Sequence, residues 1–195
     1  MFSSLLALIL GASLVSAGPL APRQTCADVT VIFARGTGEV RPIGTVVGPP
    51  FRDALQSALG SRTLSFIGVD YAATVGGFFE GGDPDGARTM AADVNSAASS
   101  CPNTKIVMSG YSQGAQVTHL AAGQLSSTVQ NRVNAVVVFG DPDNGQAFPG
   151  GLNDREITFC ANGDDICDGG VIITSAHLSY GADAPAAAQF VIAHV

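Results

Sequence analysis

The chain has 195 residues, enough for one domain with a substantial core. With 46% hydrophobic and 13% charged residues and a formal net charge of −7, it is not a disordered segment and carries no basic footprint for nucleic acid. No run approaches the ~18 consecutive apolar residues that a membrane-spanning helix needs.

Residues 1–17 read as a secretory signal peptide. An apolar run from Leu5 to Leu10 is followed by Val15-Ser16-Ala17, a small-x-small cleavage pattern. Gly11 and Gly18-Pro19 interrupt what would otherwise be a buried first helix. Residues 18–25 read as a propeptide or loose N-terminus, and 26–195 as a single domain of an extracellular protein. In that compartment Cys26, Cys101, Cys160 and Cys167 suggest two disulfides, with three possible pairings. The short separation of Cys160 and Cys167 favours a local clip, leaving Cys26 for Cys101. Loop entropy would make the long bridge worth roughly 4.5 kcal/mol and the short one roughly 2.5. A zinc site needs ligands at closer spacing, and no N-x-S/T acceptor occurs.

Within the domain, apolar runs at 29–34, 64–69, 105–108 and 133–139, with a shorter one at 156–159, read as buried strands. Helical patterns separate them. Phe51, Leu55 and Leu59 mark one helix. Ala87, Met90, Ala91, Val94 and Ala98 mark another, with Asp83-Pro84 as cap and first turn. Ala115, Leu120 and Leu125 belong to a helix after the third strand, and Phe190-Val191 to a last one. Near-continuous apolar strands alternating with helices imply a mainly parallel five-stranded sheet covered on both faces. The result is a three-layer α/β sandwich, in a chain too short for an inserted lid domain.

The third strand runs into Gly110-Tyr111-Ser112-Gln113-Gly114, a G-x-S-x-G pattern at a strand-to-helix corner. Such a corner lifts the serine hydroxyl above the sheet and points a helix N-terminus at it. The pattern alone is weak in a chain with 24 glycines; its position gives it weight. A serine needs a base, usually histidine. His119 lies seven residues along the helix, about 10 Å away, and reads as structural. His194 is penultimate and reads as a surface group. His177 follows the apolar stretch 171–176 in a loop, where α/β active sites gather, and is the base candidate. Between serine and histidine stand Asp164 and Asp165 inside the Cys160–Cys167 loop, Asp168 as local rival, and Asp141 and Asp143 in a turn. Physical reasoning alone does not separate Asp164 from Asp165.

These residues resemble the fungal cutinase family. The serine segment looks like its first signature. Cys160-Ala161-Asn162-Gly163-Asp164-Asp165-Ile166-Cys167-Asp168-Gly169, running on to His177, resembles its second, of the form C-x(3)-D-x-[IV]-C-x-G. Phe33-Ala34-Arg35-Gly36-Thr37-Gly38-Glu39 is a third matching segment. The resemblance implies Ser112 as nucleophile, His177 as base and Asp164 as orienting acid, with Asp165 at the variable position. It also implies an oxyanion hole from the backbone N–H groups of Thr37 and Gln113, and the pairs Cys26–Cys101 and Cys160–Cys167. Val171, Ile173 and Leu178 correspond to a substrate rim, and Phe78 and Phe79 offer a second apolar wall.

The implied function is a secreted serine esterase that hydrolyses cutin-type polyester and short-chain esters through an acyl-enzyme. The expected partner is a polyester or small ester, the expected state a monomer, and no metal or organic cofactor is implied. The alternatives are an acetylxylan esterase or general short-chain carboxylesterase and, more distantly, a non-catalytic secreted wall-binding protein.

Overall fold

The computed structural model describes residues 26–195. The signal and propeptide segments assigned to 1–17 and 18–25 lie outside the described residues. Strands β1 (Val29–Ala34), β2 (Leu64–Gly68), β3 (Lys105–Tyr111), β4 (Val133–Phe139) and β5 (Glu156–Phe159) form one sheet in the order β2-β1-β3-β4-β5, and every neighbouring pair is parallel. The helices are α1 (Gly48–Leu59), α2 (Val75–Phe79), α3 (Pro84–Ser100), α4 (Gln113–Gln124), α5 (Ser127–Gln130) and α6 (Ala184–His194).

Alternation along the strands sorts the core into two halves. Ile32, Ile106, Met108, Val136 and Val138 face one way, against Met90 and Val94 of α3 and Ala115 and Val117 of α4. Val31, Phe33, Val107, Val137 and Phe139 face the other, against Phe51 and Leu55 of α1 and Ala187 and Val191 of α6. Both faces of β1 and β3 are covered, which is why these strands read as continuous apolar runs. The pattern slips once. The β3–β4 register shifts between Ile106 and Val107, so that Asn134 is an extra residue on β4. Its side-chain carbonyl accepts the Ile106 N–H at 3.1 Å and its amide donates to the His194 carbonyl at 3.1 Å, so the bulge side chain satisfies the Ile106 donor and ties the end of α6 to the sheet.

The helix starts follow local chemistry. The Asp83 carboxylate accepts the N–H groups of Asp85 and Gly86, both at 2.9 Å, and Pro84 opens α3. Two helices escape the periodicity argument because they are so short. α2 is the five-residue run VGGFF, held by the Thr74 hydroxyl, which accepts the Gly77 N–H. β3 extends to Tyr111, beyond the expected 105–108, and β2 stops at Gly68, although Val69 is still buried. Leu120 lies on α4 as expected, but not on its buried face. It is 39% exposed, because α4 packs through small residues such as Ala115, Ala121 and Ala122.

The chain moves outward from β1 to β2, then returns across it to β3. The loops leaving the C-terminal ends of β1 and β3 therefore diverge at a topological switch point, where open α/β sheets present their ligand crevices.

Candidate active site

Ser112 sits between the end of β3 and the start of α4 with φ 56° and ψ −124°, a conformation that costs a non-glycine residue about 1–3 kcal/mol. Its surroundings enforce it. The Ser112 N–H donates to Phe139 at the end of β4 at 2.9 Å, and its carbonyl accepts from Ala115 inside α4 at 2.8 Å. Close approach, not positive φ, explains the flanking glycines. A Cβ on Gly114 would collide with the Ala34 carbonyl of β1, and one on Gly110 with the Gly114 carbonyl. The helix thus packs directly on strand backbone, and its N-terminus begins immediately after Ser112.

His177 stands across from it. Its Nε2 lies 3.0 Å from Ser112 Oγ, and its Nδ1 lies 2.9 and 3.0 Å from the two Asp164 oxygens. All three side chains are almost fully enclosed, Asp164 completely. Asp164 also accepts the Ile166 N–H at 3.1 Å and the Tyr180 hydroxyl at 2.5 Å. Cys160 is bonded to Cys167 around this turn, and Cys26 to Cys101 across the far end of the sheet. The neighbouring acid turns away: Asp165 accepts the Ile172 N–H at 2.7 Å. Asp168 is exposed.

The other histidines have separate partners. His119 Nε2 meets Asp141 at 2.9 Å and its ring stacks on Phe148 at 3.8 Å, while His194 Nδ1 donates to the Phe190 carbonyl at 2.7 Å. The Asp141 carboxylate also caps its own turn, accepting the backbone N–H of Asp143 at 2.9 Å. Burial pushes the Asp143 carboxyl above the ordinary value, with the His119 side chain opposing.

Thr37 lies in the loop after β1. Gln113 opens α4, so its backbone N–H has no intrahelical acceptor. The two residues also touch through side chains: Gln113 Nε2 donates to the Thr37 hydroxyl at 2.8 Å and to the Thr74 carbonyl at 2.6 Å. That amide ties the β1 loop to the α2 entry beside the serine. Glu39 shapes the same loop, its carboxylate accepting the N–H groups of Gly36 (2.8 Å), Thr45 (2.8 Å) and Val46 (2.9 Å). No sequence pattern assigns an individual role to Glu39 or Tyr180. The only signals for them are a carboxylate inside a Gly-rich loop and a tyrosine three residues beyond His177.

Ser112 and His177 open onto a cleft of about 320 Å³. Val75, Phe78 and Phe79 of α2 line it, together with Ile166, Val171, Ile173 and Leu178 from the loops before α6. Phe79 is 68% exposed, and Val171, Ile173 and Leu178 are each more than half exposed, so these side chains are a wall and not core. The arrangement presents a serine hydroxyl within hydrogen-bond reach of a buried imidazole at an apolar mouth. Among the described residues no cluster of His, Cys, Asp and Glu could hold a metal, and no helix is long and apolar enough to cross a membrane.

Comparison with known proteins follows the same line. The cutinase family model matches residues 25–195. A cutinase of Botryotinia fuckeliana is 55% identical over 168 residues, covering 86% of this chain and 83% of its own length. Cutinase CUT1 of Coprinopsis cinerea is 50% identical over 198 residues, covering 100% of this chain and 99% of its own. Among solved structures, the Trichoderma reesei cutinase in complex with a phosphonate inhibitor superposes with a TM-score of 0.83 at 46% identity, covering 88% of this chain and 78% of that one. An acetylxylan esterase shares the fold at a TM-score of 0.72 and 24% identity. The chain belongs to the cutinase family of serine ester hydrolases.

Proposed function

We propose that the protein is a secreted esterase that cleaves cutin-type polyester and short-chain esters, with Ser112 as nucleophile, His177 as general base and Asp164 as orienting acid. The observation that carries this reading is the continuous relay from Asp164 through His177 to Ser112 at the floor of an apolar cleft. Ser112 Oγ attacks the ester carbonyl carbon as His177 Nε2 takes its proton. The carbonyl oxygen becomes an oxyanion facing the N–H groups of Thr37 and Gln113, and Asp164 stabilises the imidazolium. His177 then gives the proton to the departing alkoxide. Water, deprotonated by the same imidazole, releases the carboxylic acid and restores Ser112.

The apolar mouth suits the acyl chain of a polyester better than the hydroxyl-rich surface of a polysaccharide. The pattern in residues 1–17 and the two disulfides support an extracellular location. Every residue of the proposed machinery comes from one chain, so a monomer suffices. The net charge of −7 disfavours a nucleic-acid partner. The test is an ester panel from acetyl to long acyl chains with cutin and acetylated xylan alongside. Preferential release from butyrate esters and cutin supports the reading; acetate release from xylan with inactive cutin would replace it.

A further inference from the structure

The Tyr180 hydroxyl has one proton to give. It accepts the Ala161 N–H at 2.9 Å, and its proton is directed to Asp164 Oδ2 at 2.5 Å. The other nearby acceptor, the Cys167 sulfur at 3.8 Å, is weak and already in a disulfide. Tyr180 therefore grips the acid-bearing turn at both ends, since Asp164 N–H in turn donates to the Ala161 carbonyl at 3.0 Å. The phenol is fully buried, and burial, followed by the bond to Asp164, pushes it above its ordinary pKa, so it remains a donor wherever the enzyme works.

Resting on the assignment of Ser112, His177 and Asp164, we infer that Tyr180 is a positioning residue that sets the basicity of His177 through Asp164. His177 and Tyr180 reach the same carboxylate from one short stretch of chain, three residues apart. Asp164 shares its charge among three donors: the imidazole, the Ile166 N–H and the phenol. Each donor that stabilises the carboxylate weakens its hold on an imidazolium. Removing the phenol's proton leaves the carboxylate more basic, so it retains the imidazolium to higher pH. Among the described residues, Asp165 and the exposed Asp168 share the Asp164 turn, Asp165 directed outward to the Ile172 N–H, and Tyr111 and Glu39 approach from the other elements. Tyr111 stacks on His177 at 5.1 Å and donates its hydroxyl to the His177 carbonyl at 2.8 Å, whereas Glu39 lies beyond Tyr111 and is committed to three backbone N–H groups. Neither touches the carboxylate.

The test is Tyr180→Phe in the full protein, read as kcat/KM against pH with a soluble butyrate ester, after active-site titration with an alkyl phosphonate. The acid limb should move up by about one pH unit, a tenfold change in proton affinity. An unmoved limb with an unchanged plateau overturns the inference. Replacing Tyr180 alone with fluorotyrosine covers the case in which the Phe variant does not fold. It keeps the shape and makes a stronger donor, so the limb should move down; no movement again overturns the inference. Wild-type protein that fails to take phosphonate at Ser112 would instead remove the active-site assignment itself, which separates the two failures.

Discussion

The Asp165 carboxylate accepts the backbone N–H of Ile172 at 2.7 Å and lies over Gly170, so it straps the strand of chain that carries Val171 and Ile173. Adjacent acids thus have opposite destinations, Asp164 inward to the imidazole and Asp165 outward to the cleft wall. Asp165→Ala frees the wall without touching the relay. KM for a butyrate ester should rise several-fold while kcat changes less than about threefold, the signature of lost ground-state binding. Asp165→Asn keeps an acceptor oxygen and should stay near wild type. Steady-state kinetics on both variants check the pair.

Gly114→Ala separates packing from propensity. Helix propensity alone favours alanine by about 1 kcal/mol. The added Cβ, however, meets the Ala34 and Arg35 carbonyl oxygens, backbone atoms that cannot swing aside. The expected outcome is a net destabilisation of about 1–3 kcal/mol, the usual cost of overpacking, seen as a lowered Tm. A raised Tm would mean that α4 does not rest on β1 in this way.

The two disulfides should fail differently. The Cys26–Cys101 bridge closes 75 residues far from the cleft, and its removal should cost roughly 4.5 kcal/mol of stability with little change in kcat once the protein is folded. The Cys160–Cys167 bridge closes only 7 residues, so removing it should cost roughly 2.5 kcal/mol. That turn holds Asp164, and kcat should fall at least about tenfold. Chemical denaturation and single-turnover kinetics on the paired Cys→Ser variants distinguish the two.

All three tyrosines of the chain, Tyr71, Tyr111 and Tyr180, are buried, and burial pushes each phenol well above its ordinary value of 10.0. Below that value the phenols are protonated in both folded and unfolded chains and add no pH dependence. Above it the unfolded chain ionises first, so stability is lost as pH rises. Native protein should show no tyrosinate absorbance at the normal phenol midpoint. The three groups should then titrate together, with loss of circular dichroism, when the fold opens. An early, reversible rise with the fold intact would contradict their burial.

Much of the architecture could be read because it rests on local patterns. Strands covered on both faces leave continuous apolar runs, and the Gly-x-Ser-x-Gly corner leaves a spacing that survives without coordinates. His177 stood out by position, between an apolar stretch and a turn. What escaped depends on direction or on curl. Asp164 and Asp165 are the same residue type one position apart, so their own chemistry does not separate them, and only the family resemblance singles out Asp164 before the fold turns it inward. Glu39 has a role only because its loop curls three N–H groups around it. The polar Asn134 inside an apolar run was the single trace of a bulge that no periodicity could locate. Leu120 marks helix α4 correctly but not its buried face, because α4 buries alanines where larger residues usually signal the core.

The central claim is that Ser112 is the hydroxyl made nucleophilic by His177. Intact-mass and peptide analysis after incubation with an alkyl phosphonate ester tests it most directly. The account predicts one adduct per chain, located on Ser112, absent in Ser112→Ala, and formed more slowly as pH falls and His177 takes up a proton. An adduct on another residue, or a Ser112→Ala variant that still releases a full burst of product, would contradict it.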